Sequence, residues 1–131
     1  MRPGPEDWMA EAEADIAAAR GMAETGQFKW AVSVARHSVE EALKGAYEVT
    51  RRLEPPHVHG LRHLARETFG EVPPRIADAL RLLDPLYTVS RYPNAVSSRP
   101  SEEYDEDDVR EFVAAAAEVI AWTSDRLNET S

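Results

Sequence analysis

From Pro5 to Thr25, Met9, Ala12, Ile16, Ala19 and Ala23 recur at steps of three and four with charged residues between them, which draws one apolar stripe down a helix. Gly26 is placed to end it. After a turn of only a residue or two the alternation resumes at Phe28, Val32, Ala35, Val39, Ala42, Ala46, Val49 and Leu53, until Pro55 and Pro56 stop it. A connection this short makes the two helices an antiparallel hairpin, and their many alanines permit close approach.

A short third helix is predicted from His59 or Gly60 to about Thr68, with Leu61, Leu64, Ala65 and Phe69 turned inward and Gly70 as its breaker. Pro73 and Pro74 suit the entry to a fourth, on which Ile76, Leu80, Leu83 and Tyr87 share a face. Between Tyr87 and Tyr104 the period disappears, and TVSRYPNAVSSRPSEEY reads as a long, functional or disordered loop, partly packed through Tyr92, Val89 and Val96. The last helix starts near Asp105, whose carboxylate can cap the amide of Asp107 or Asp108, and buries Val109, Val113, Ala116, Ile120, Thr123 and Leu127. The expected fold is all-α: an up-and-down bundle of four to five helices, opening on a long antiparallel hairpin and forming a single domain over residues 1–131.

Composition narrows the function. A formal net charge of -9 repels a phosphate backbone at long range, which argues against a sequence-independent grip on nucleic acid. With no cysteine, disulfides, thiolate zinc sites and cysteine nucleophiles are excluded. The acidic N-terminus lacks the apolar stretch of a signal peptide and no window approaches a membrane span, so the expected location is the cytoplasm. There is no glycine-rich phosphate loop, nucleophile elbow or His-Glu-x-x-His helix.

The chemistry-bearing stretch is ARHSVEEALKG, residues 35–45. Arg36, Glu40 and Lys44 follow one another at steps of four, and His37 with Glu41 makes a parallel pair. On an isolated helix this is a solvated face carrying exposed ion pairs of about 0.2 to 1 kcal/mol each. A partly buried Glu40 or Glu41 would instead need a cation or a set of donors.

The early hairpin, ARHSVEEALKG, the HGLRHL segment after a proline break, SRYPN, and the closing helix opened by EEYDEDDV together resemble the HEPN family, the "higher eukaryotes and prokaryotes nucleotide-binding" domain, in the same order over nearly the whole chain. The resemblance implies a helical bundle that forms a homodimer and stands beside a minimal nucleotidyltransferase, often as a toxin and antitoxin pair. Some members look like metal-independent ribonucleases, and others are inferred to bind nucleotides without cleaving RNA. The site it implies comprises Arg36, Glu40, Glu41, Lys44, Arg91, Tyr92 and Asn94. In it Arg36, Lys44 and Arg91 approach phosphate, Glu40 or Glu41 orients Arg91, and Tyr92 stacks on a base.

The family's catalytic signature looks like an arginine and a histidine separated by four to six residues, the one holding phosphate and the other moving a proton from the ribose hydroxyl. Counted from Arg91, those positions are Val96, Ser97 and Ser98. Arg51 to His57, and Arg52 to His57 or His59, have the spacing but straddle Pro55 and Pro56, where the family does not place its active site. A non-nucleolytic partner protein is therefore the reading preferred over a ribonuclease toxin, with a purely structural adaptor bundle as the third. No catalytic residue and no cofactor is assigned. His57, His59 and His63 lack a convincing third zinc ligand, so no metal is assigned either. The run Glu102 to Asp108 is a helix start with excess charge. Trp8, Trp30 and Trp122 are expected to cover core edges, or to anchor a dimer or partner face.

Overall fold

A computed structural model of the chain describes residues 5–55, 60–86 and 104–129, with side chains from residue 7 onward. Its elements are α1 (Pro5–Glu24), α2 (Phe28–Arg51), α3 (Leu61–Phe69), α4 (Pro74–Leu83) and α5 (Glu106–Glu129), and the described residues contain no strand. The all-helical expectation is met, and α2 is the spine that α1, α3 and α5 all contact.

The junctions follow from local chemistry. Gly26 adopts φ 80°, and Gln27 N donates to Met22 O at 2.8 Å while Gly26 N donates to Ala23 O at 3.3 Å. This is the Schellman arrangement, which satisfies two terminal carbonyls and reverses the chain within three residues. Gln27 at once accepts from Ala31 N, so α2 runs back antiparallel to α1. At its far end α2 stops earlier than the apolar alternation suggests. Arg52 takes a left-handed conformation with φ 57° and donates its amide to Glu48 O, which leaves Leu53 beyond the helix and 62% exposed rather than on the buried stripe. A residue before proline is biased away from helical geometry, so the halt precedes Pro55 itself.

The N-terminus of α3 is capped from a distance. Leu61 N and Arg62 N both donate to the carboxylate of Asp84, which follows α4, the second bond at 3.4 Å. Asp105 caps α5 as the sequence foretold: Asp108 N donates to Asp105 Oδ1 at 2.8 Å, and Asp105 N donates back to Asp108 Oδ2 at 3.4 Å, a reciprocal box.

The core unites Ala12, Ile16, Val32, Val39, Leu43, Leu61, Leu64, Ile76, Leu80, Leu83, Val109, Val113 and Val119. Each fully buried aliphatic side chain contributes about 1.5 to 3 kcal/mol. Buried hydroxyls bond to their own helices: Ser38 donates to Ala35 O, Thr68 to Leu64 O and Thr123 to Val119 O. The tryptophans separate into three roles. Trp122 belongs to the core, its ring edge-to-face with Phe69 at 5.0 Å. Trp8 is half-buried against α2 at Gly45. Trp30 does not cover a core edge: it is 56% exposed, with Lys29 Nζ 5.0 Å from its ring centre. Among the described residues no helix is long and apolar enough to cross a membrane.

Candidate functional site

The stretch 35–45 lies in the middle of α2, and the wet-face reading fails for most of it. Arg36 is 5% exposed, because the spine helix is covered on more than its apolar stripe. Arg36 Nη1 donates to Glu40 Oε1 at 3.1 Å, and Lys44 Nζ stands 3.6 Å from Glu40 Oε2. Burial alone would raise the Glu40 carboxyl, but Lys44, and then the hydrogen bond and charge of Arg36, outweigh it and hold the group below its ordinary value. Glu40 thus finds on its own helix the cations that its burial demands. Lys44 is the more open of the two, at 37% side-chain exposure.

Glu41, one residue on, points to another neighbour. It faces α1, where its carboxyl meets that of Asp15 within hydrogen-bond reach. His37 Nε2 lies 3.3 Å from Glu41 Oε1 and is mostly exposed. Yet that oxygen is buried and has no hydrogen-bond partner among the described residues. Desolvation first, then the hydrogen bond and charge of Asp15, then Glu11 and Glu40, push Glu41 up to about 8. Adjacent glutamates therefore behave oppositely, because the helix turns one toward cations and the other toward carboxylates.

Of the site residues named from the sequence, the structure brings Arg36, Glu40 and Lys44 into one ion chain and places Glu41 with His37 beside it. Arg91, Tyr92 and Asn94 lie outside the described residues, as do His57 and His59. His63 is paired with Glu67 on α3, at 3.4 Å. Asp15 was missed. It sits on the polar side of α1, and its only sequence signal is its place in an antiparallel hairpin opposite the i, i+4 pair His37 and Glu41.

Among the described residues, hollows lie away from this stretch. One of about 220 Å³ is lined by Arg62, Arg66, Glu71, Val72, Ala77 and Leu80, and one of about 280 Å³ lies between the end of α1 and the start of α5, at Arg20, Glu24, Glu106 and Arg110. In the second, Arg110 is bound to Glu106 at 2.7 Å.

Known structures share this architecture. The chain is similar to TT1696 from Thermus thermophilus, with 25% identity and a TM-score of 0.80 over 92% of this chain and 96% of the other. It is also similar to ST0689, described as an archaeal HEPN homologue, with 28% identity and a TM-score of 0.79 over 95% and 98% of the two chains. No curated protein matches it. The HEPN domain model matches residues 5–127, which takes in all five helices almost to the end of the last, and the chain belongs to the HEPN family.

Proposed function

We propose that this HEPN protein is a non-nucleolytic, dimeric partner of a minimal nucleotidyltransferase, of the toxin and antitoxin kind, with a polar site that receives a nucleotide phosphate. The observation that carries the reading is the ion chain of α2: Arg36 buried against Glu40 and Lys44 on the other carboxylate oxygen. Two cations around one carboxylate leave a positive excess at the centre of a chain whose net charge is -9. In this reading the buried Arg36 orients Glu40, and Lys44 meets the phosphate. Arg91, Tyr92 and Asn94 would complete the site from the SRYPN segment. The same segment argues against cleavage, since Val96, Ser97 and Ser98 stand where a catalytic histidine would follow Arg91. The exposed Trp30 fits an association surface, where aromatic anchors concentrate.

The test has two arms. Native co-purification followed by mass spectrometry should return a small nucleotidyltransferase in stoichiometric amount; its absence removes the partner assignment. Titration with ATP and GTP should move the amide resonances around Lys44, and weaken on Lys44→Ala; unchanged spectra at millimolar nucleotide remove the ligand assignment. RNA incubated with concentrated protein should stay intact, and metal-independent cleavage would restore the ribonuclease reading.

A further inference from the structure

The Asp15, His37 and Glu41 group is separate from the ion chain and is not used by the proposed function. His37 and Glu41 are four residues apart on α2, so both project from one face, and Asp15 comes from the antiparallel helix across the hairpin. One donor atom from each lies within 4.8 Å of the other two. We propose that these three side chains form a binding site for a divalent transition-metal cation, with His37 supplying an imidazole nitrogen and Asp15 and Glu41 a carboxylate oxygen each.

Three observations point to a cation. Hairpin packing holds two carboxyl groups against each other, while Arg36 and Lys44 are directed to Glu40. Glu41 Oε1 is buried and makes no hydrogen bond among the described residues, and its ion-pair neighbour at 3.3 Å is the His37 nitrogen that would share the ion with it. Glu11 also contributes negative charge to these surroundings, which favours cation entry. The donor set selects the class of ion. One nitrogen and two oxygens suit zinc or its first-row neighbours, whereas magnesium prefers an all-oxygen octahedron with retained water. Three protein ligands leave a position for water or an exogenous donor.

The fold contains its own control. His63 and Glu67 repeat the i, i+4 spacing on α3, with Nε2 to Oε1 at 3.4 Å, but both are well exposed and no third ligand groups with them among the described residues. A histidine and glutamate one turn apart would bind at both places if spacing alone sufficed. The alternative occupant of the Asp15 and Glu41 pair is a shared proton, which requires no metal.

The experiment is calorimetric titration of tag-free, EDTA-treated and desalted full-length protein with zinc chloride near neutral pH. The expected result is one saturable site per chain. His37→Gln, at a position 61% exposed, should weaken it by at least about tenfold, since even outer-shell changes cost that much. Glu41→Gln should do the same, with circular dichroism confirming the helices. His63→Ala should leave the site unchanged, and magnesium should not compete. Absence of saturable binding, or binding that persists unchanged in His37→Gln, overturns the proposal and leaves the shared proton. This outcome is independent of the nucleotide and partner tests, which read Lys44 and a second protein.

Discussion

Trp8 lies directly over Gly45: a methyl group built on that glycine would meet the Trp8 side chain, with Cγ only 2.6 Å away. The last residue of the ARHSVEEALKG stretch is therefore set by the close approach of α1 to α2. Gly45 has no positive φ and sits inside a helix, where glycine costs about 1 kcal/mol relative to alanine. Its retention there is a packing requirement.

Gly45→Ala should consequently destabilise the fold despite the gain in helix propensity, by about 1 to 2 kcal/mol, within the usual range for overpacking. Denaturant unfolding measures this. In a Trp8→Gly background, which removes the Cβ nearest to that methyl group together with the ring, the same substitution should become neutral or stabilising, and the difference between the two backgrounds reads the contact itself.

The ion chain should lose stability in order of burial. Arg36→Ala, which removes a 5% exposed guanidinium from a half-buried carboxylate, should cost about 3 kcal/mol. Glu40→Gln should cost less, and Lys44→Ala no more than about 1 kcal/mol because solvent reaches the ammonium. Equal effects from the first and last would contradict the arrangement. Glu40 also links this chain to acid stability. Its folded value is lowered, so its contribution is present above the ordinary carboxylate range and lost as pH falls through the folded value.

Glu41 predicts the opposite slope. Between its ordinary value of 4.5 and about 8, the folded state retains a proton that the unfolded chain has released, so stability falls as pH rises through this window. In EDTA-containing buffer, Glu41→Gln should flatten that decline and exceed the parent protein at pH 9 by on the order of 1 kcal/mol, one pKa unit's worth, since solvent screens part of the pair. Near pH 4 the two should converge. Thermal unfolding across the range checks both limits.

Asp84→Ala should remove the cap of α3 supplied from beyond α4, costing about 1 to 2 kcal/mol. The effect should appear as faster amide exchange in the first turn of α3, while Asp84→Asn, which keeps an acceptor, should retain most of the protection.

Much of the architecture was legible because it is written at short range. The three-four alternation of α1 and α2, Gly26 at the turn and Asp105 before α5 each act within one or two helical turns, so local physics predicts them and the structure agrees. Leu53 escaped because helix termination at Arg52 is a backbone decision that apolar spacing does not record.

The candidate site divides along the same line. Arg36, Glu40 and Lys44 were visible as a row because their spacing belongs to one helix, yet the burial of Arg36 comes from the packing around that helix. Nothing in the i, i+4 spacing of His37 and Glu41 names Asp15 as their neighbour, nor does the sequence around Leu61 announce Asp84 as its cap. By itself the sequence determined the helices, their order and the hairpin, through periodicity and turn chemistry. Only the tertiary structure decided which of two adjacent glutamates meets cations and which meets another carboxylate, because about 100° of helical rotation separates them and the neighbouring helices determine what lies on each side.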